Sequence, residues 1–285
     1  MRPPAVPSER SRERRALAQR LADAIPLGVA EEMVLTGSVS RGVADEVSDI
    51  EMLVVTSLPL ELPDCFEHAR AAGLEQLDTW GEQSTPTRRV SGVLEGVPLE
   101  LVWWSREQAE SSIASFFHGD DVSSAADAIV HGVSLRTGGS LARWQARLGD
   151  YPDELARARI EAAALTWGGF APAGVLTLAR PGEVLARIER MLDDATRVLR
   201  IVYALNRVWQ PTHKRLADNV AALDVKPVRL AERIDEALSE RDPWRALLLM
   251  TELQADTVAL APNGPNVTRA RRWLAAAADL LGRGA

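Results

Sequence analysis

The sequence predicts an α+β domain with a mixed sheet, followed by an all-helical domain. Two observations carry this. Short apolar runs broken by Gly, Ser and Pro crowd residues 33–104, the pattern of buried strands. Beyond about residue 120 the strand pattern stops and only helical periodicity recurs. Strands with a few helices first, then helices alone, suit two successive domains. The junction falls within 118–150 and is placed at 138, giving an α+β domain over 1–138 and a helical domain over 139–285.

Taken in order, residues 8–25 read as an opening helix, with Leu17, Leu21 and Ile25 at helical spacing behind a polar Ser8. Residues 33–36 and 50–56 read as short buried strands. A helix opened by Pro63 covers 63–73, and a further strand covers 75–80. Residues 88–94 and 97–104 flank Glu95-Gly96, a tight hairpin turn. Helices are then expected at 122–131, 139–148, 152–167, 182–209, 212–222, 227–239, 243–261 and 266–282. Gly and Pro punctuate them, as at Pro181, Pro211, Pro227 and Pro243.

Composition narrows the function. The 285 residues include 33 basic and 40 acidic side chains, a net charge of -7. A generally basic nucleic-acid binder is excluded, and no nucleic-acid partner is expected. No uncharged apolar run approaches the ~18 residues of a membrane span. The opening MRPPAVPSERSRERR has no apolar stretch behind its charges, unlike a secretory signal. Cys65, the single cysteine, excludes an intramolecular disulfide and a cysteine-cluster metal site. The expectation is a soluble cytoplasmic protein. The four histidines show no metal-ligand spacing and receive no role.

The informative stretch is Gly37-Ser38, ten residues, then Asp49-Ile50-Glu51-Met52. Asp49 and Glu51 are two apart on a strand, so both point to one face while Ile50 and Met52 point into a core. Adjacent carboxylates repel unless a cation sits between them. Mg²⁺ prefers oxygen donors, typically carboxylates together with substrate phosphates. A glycine after an apolar strand lets backbone N–H groups approach an anion, and Ser38 adds a hydroxyl. Glu100, alone among Leu99 and Leu101 on a later strand, is the third acid. Three acids around two metals suit in-line phosphoryl or nucleotidyl transfer.

This pattern resembles the signature of the nucleotidyltransferase superfamily to which DNA polymerase beta belongs: Gly-Ser, a spacer of about ten residues, then Asp-apolar-Asp/Glu-apolar. Within it the chain is most similar to bacterial nucleotidyltransferases that modify aminoglycosides and lincosamides. The resemblance extends over roughly residues 30–220, through 128–132, 151–155 and the segment 204–216. It implies that Asp49 and Glu51 hold metal, that Glu100 holds metal or acts as base, and that Gly37 and Ser38 hold the triphosphate. Glu51 and Glu100 stand where aspartate is more usual.

Arg41 and Lys214 are the candidate phosphate ligands beside that turn, each also readable as a surface charge. Asn206 and Trp209 read either as ligand contacts or as capping and packing residues. Trp103 and Trp104 are the tryptophans nearest the acids and candidates for stacking on a base or sugar. Glu183, Glu189, Asp193 and Asp194 on one long helix suit a cationic acceptor or a solvated face. The implied activity is Mg²⁺-dependent transfer of NMP, AMP from ATP, to a hydroxyl of a small molecule such as an aminoglycoside, with release of pyrophosphate. Two other readings stand beside it: a non-catalytic regulator or antitoxin-like module on the same fold, and a protein adenylyltransferase.

Overall fold

The computed structural model describes residue 4 and residues 6–81, 86–118, 124–168 and 171–284. They form two compact units. One takes in the described residues of Arg2–Phe117 and Ser123–Asp150, the other His118 and the described residues of Tyr151–Ala285.

The first unit runs α1 (Glu9–Ala24), β1 (Ala30–Thr36), the single turn α2 (Gly37–Ser40), β2 (Ile50–Thr56), α3 (Leu62–Ala71) and β3 (Glu75–Thr79). It continues through β4 (Arg88–Leu94), β5 (Val97–Ser105), α4 (Arg106–Ser115), α5 (Ala125–Val130), β6 (Val133–Arg136) and α6 (Ser140–Gly149). The six strands form one mixed sheet in the order β3-β4-β5-β2-β1-β6, with β2 and β5 parallel and the other pairs antiparallel.

The centre of one sheet face is apolar. Ile50, Met52 and Val54 of β2 and Leu99, Leu101 and Trp103 of β5 are buried in one cluster with Leu17 and Leu21 of α1 and Cys65 and Ala69 of α3. The strict alternation along β5 decides which side chains face it. Burial there pushes the Cys65 thiol up to about 12, which keeps it an inert core side chain.

The helix starts follow local chemistry. Ser8 accepts from the Ser11 N–H to cap α1, and Ser105 accepts from the Gln108 N–H to cap α4. The expected elements between residues 8 and 104 all form, with the hairpin residues Glu95 and Gly96 both at positive φ (50° and 81°), as a two-residue turn requires. Residues 122 and 123 of the expected helix 122–131 lie outside the described residues; the rest of it contains α5.

Besides the short turn α2 and the 3-10 segment Pro172–Ala179, two elements were not expected. Helix α4 has only Ala109 and Ile113 buried, too weak an apolar stripe to register, although Ser105 with Gln108 three residues on is a recognisable cap pattern. Strand β6 overturns the expectation that strands end near residue 120. Four residues are too few to show a period, and β6 is a strand because β1 supplies it with partners, Ser134 opposite Val34 and Val133 opposite Leu35.

The same neighbourhood explains why the units divide at Asp150–Tyr151, beyond the expected 138. Glu32 of β1 is buried, and its carboxylate accepts from the backbone N–H groups of Gly138 (2.9 Å) and Ser140 (2.8 Å) and from the Ser134 hydroxyl (3.0 Å). An anion at the start of α6 satisfies donors the helix itself leaves open and complements its dipole. Helix α6 therefore belongs to the sheet. Glu32→Ala strands those donors in a dry site and should cost the α+β unit about 3 kcal/mol. Urea unfolding followed by tryptophan fluorescence checks this; a loss within experimental error removes Glu32 from that role.

The second unit is helical: α7 (Asp153–Leu165), 3-10 turns at Thr166–Gly168 and Pro172–Ala179, α8 (Val184–Leu205), α9 (Leu216–Ala221), α10 (Leu230–Ser239), α11 (Pro243–Leu260) and α12 (Pro265–Gly282). Along α8, Met191, Ala195, Val198, Leu199 and Val202 are buried at 3.6-residue spacing. Proline at the first turn of α11 and of α12 fits where no N–H is needed. No single described helix is long and apolar enough to cross a membrane.

Candidate active site

The site is built where the parallel strands lie side by side. Because β2 and β5 run in register, Glu51 is the direct neighbour of Glu100, and both point away from the apolar face. Thr36 of β1 and Ser91 of β4 continue the same row to either side. Asp49 immediately precedes β2, two residues from Glu51 and on the same side. All three acids are half-buried, and one carboxylate oxygen from each lies within 4.8 Å of the others.

That arrangement fits a divalent cation. Three anions held so close raise each other's energy unless a positive charge joins them, and an all-oxygen, partly solvated donor set is that of a hard ion such as Mg²⁺.

Gly37 adjoins the acids. It sits at φ 68°, where an L side chain is strained, and a Cβ placed on it would overlap the Glu51 carboxylate. Glycine is thus required twice, for the turn and for the close approach of Glu51. The turn is closed by Ser40, whose hydroxyl donates to the Gly37 carbonyl (3.0 Å), and by the Val43 N–H, which donates to the Ser38 carbonyl (3.0 Å). The Thr36 hydroxyl donates to the Glu51 carbonyl (3.2 Å), tying the start of the turn to β2. Asp49, Glu51, Glu100, Gly37 and Ser38 therefore form one continuous patch.

The remaining candidates are divided between the two units. Arg41 is buried, and its guanidinium donates to Asp127 of α5. His131 lies one helical turn on, with Nε2 3.5 Å from the same carboxylate. Burial, reinforced by the Arg41 charge, lowers the His131 pKa to about 4, so the ring is neutral at pH 7. Burial also pushes the Asp127 carboxyl up, against the pull of Arg41.

Lys214 is exposed and belongs to the helical unit, where its carbonyl accepts from Asn219 Nδ2 (2.9 Å). Asn206 is a capping residue: its amide donates to the Val202 and Val225 carbonyls, and its oxygen accepts from the Asp224 and Val225 N–H groups. Trp209 is buried against the Tyr151 ring, under the Arg159 guanidinium. Trp103 is on the apolar face, whereas Trp104 is on the acid face and donates to the Thr87 hydroxyl (3.2 Å). Of the acids on α8, Asp194 is buried and accepts from Trp167 (2.8 Å) and Arg190 (2.9 Å), and Asp193 pairs with Arg197 (2.7 Å). Asp194 is thus committed to the interior of the helical unit, while Asp193 keeps a partly exposed side chain paired one turn along α8.

No family model matches the chain, and no curated protein matches it. Among solved structures it is similar to a nucleotidyltransferase-like protein from Exiguobacterium sibiricum, at 10% identity, over 96% of this chain and 91% of that one, with a TM-score of 0.39. It is also similar to a CCA-adding enzyme in complex with ATP, at 13% identity, over 95% of this chain and 80% of that one, with a TM-score of 0.27. Such loose superpositions carry no chemistry; the acids and the turn do.

Sequence reasoning passed over Asp127, the partner of Arg41, and Arg14. Asp127 interrupts the apolar run Ala126–Val130 with a charge, which was its only signal. Nothing local singled out Arg14, whose guanidinium donates to the carbonyls of Asp45 and Glu46 just ahead of Asp49.

Proposed function

We propose that the protein is a Mg²⁺-dependent nucleotidyltransferase that moves NMP, AMP from ATP, to a hydroxyl of a small amine-bearing acceptor such as an aminoglycoside. The single observation that supports this best is the convergence of Asp49, Glu51 and Glu100 from separate chain segments beside the Gly37 turn. Carboxylates gathered for solubility alone would have no reason to meet against a left-handed glycine.

Asp49, Glu51 and Glu100 would hold two Mg²⁺ ions. When bound, these supply charge neutralisation for a triphosphate and a lowered pKa for a coordinated hydroxyl. The chain's own residues divide the rest of the work. Backbone N–H groups of the Gly37-Ser38 turn and the Ser38 hydroxyl face the triphosphate, an anion site free of side-chain bulk. Glu100 lies on the β5 side of Glu51, away from the β1 turn, and accepts the acceptor hydroxyl's proton. The acceptor oxygen bonds to the α-phosphorus, the bond to the departing pyrophosphate breaks, and its electron pair leaves with pyrophosphate. Holding both partners in line supplies most of the rate.

Incubation with α-labelled ATP, Mg²⁺ and a panel of aminoglycosides and lincosamides tests the reading. Pyrophosphate release with label on a small molecule is the expected result. Label on protein instead assigns a protein adenylyltransferase, and no pyrophosphate with any acceptor leaves a non-catalytic module.

A further inference from the structure

A four-residue helical turn cannot hold its own position, because it closes too few internal hydrogen bonds to offset the ordering it requires. Something outside the turn must fix Gly37-Ser38 against the acids. On one side the N-terminus of α1 clasps the chain just after the turn. The Ser8 N–H donates to the Gly42 carbonyl (2.9 Å), the Ser8 hydroxyl donates to the Ala44 carbonyl (2.7 Å), and the Ser11 hydroxyl accepts from the Ala44 N–H (2.9 Å). With Arg14 gripping Asp45 and Glu46, the spacer between the turn and Asp49 is held as a unit.

On the other side the only charged anchor among the described contacts is Arg41, the residue that caps the turn. Its backbone N–H donates to the Gly37 carbonyl (3.4 Å), and its side chain runs inward to Asp127. Both side chains are more than nine-tenths buried. A buried ion pair is a poor source of stability, since desolvation offsets much of its attraction, and its best-attested use is to fix one arrangement over others.

We propose that Asp127 is a positioning residue for the nucleotide-cradling turn, acting through Arg41, and that Arg41 serves from within the protein and not as a phosphate ligand. This rests on the nucleotidyltransferase reading above. The described polar contacts of Asp127 are to Arg41 and His131 and none is to Asp49, Glu51, Glu100, Gly37 or Ser38, so the route we assign to its effect on nucleotide is Arg41 and the turn that Arg41 closes.

The test uses the full chain and Asp127→Asn, which keeps shape and removes charge. Calorimetry with a non-hydrolysable ATP analogue and Mg²⁺ should show affinity weakened about tenfold. Amide hydrogen exchange should quicken about tenfold at residues 38–43, with β2 and β5 unchanged. Arg41→Met/Asp127→Leu should bind no worse than either single variant, since both act through one contact.

Unchanged or tighter nucleotide binding in Asp127→Asn overturns the role, the result expected if Arg41 itself meets phosphate. Exchange that quickens equally across the whole α+β unit also overturns it, leaving the pair as a general stabiliser, and so do additive losses in the double variant. A wild-type chain that binds no nucleotide defeats the parent reading and this role with it. Binding that survives intact in Asp127→Asn defeats this role alone.

Discussion

Asp49→Asn is expected to abolish nucleotidyl transfer, with a fall of at least about 10³-fold, while leaving the fold intact. The amide matches the carboxylate in shape but carries no charge, so the cluster keeps its geometry and loses a third of its anionic donors. The same substitution should stabilise the metal-free protein by about 0.5–1 kcal/mol, because three carboxylates within 4.8 Å of each other repel and one of them is removed. The two effects have opposite signs, and a residue that merely supports the fold cannot produce both. Added Mg²⁺ should raise the Tm of the wild-type chain by mass action and that of the variant far less. Thermal unfolding with and without Mg²⁺, beside a pyrophosphate-release assay, reads all three quantities. A variant that releases pyrophosphate at the normal rate would sink the assignment.

Gly37→Ala should separate activity from stability in a different way. Alanine at φ 68° costs about 1–2 kcal/mol of backbone strain. The new methyl meets the end of the Glu51 side chain, which is flexible enough to swing aside, so the overlap itself adds little to that cost. Swinging aside, however, carries a carboxylate out of the cluster. A displacement of about 1 Å at a reacting centre is worth roughly 10²-fold in rate, and this loss is the expected result.

Gly96→Ala in the β4–β5 hairpin is the control. It has a similar positive φ of 81° and nothing within 4 Å of an added Cβ. The two variants should melt alike and differ about 10²-fold in activity. Equal activities would show that Glu51 does not depend on the space beside Gly37.

Much of this protein was legible in its sequence because the relevant signals are local. Alternation along Val97–Ser105 places Glu100 opposite the core, and the two-residue spacing of Asp49 and Glu51 sends both to one face; neither needs knowledge of the rest of the chain. The helices of the second unit were readable for the same reason, since each buries one stripe at a fixed period. What failed was short or weakly patterned. Strand β6 is made by its pairing with β1, and α4 by a cap and two buried residues.

The sequence by itself therefore determined most of the strands and helices, a glycine-serine turn after the first strand, and the three acids with the face each occupies. Only the tertiary structure decided that β5 lies parallel to β2 in the register that sets Glu100 beside Glu51. It also decided that Arg41 turns inward to Asp127, and that α6 joins the sheet through Glu32. Backbone conformation and side-chain alternation are set within a few residues. Strand order, register and the partner of a buried charge are set by which distant surfaces exclude water together, and no window along the chain contains both sides of such a contact.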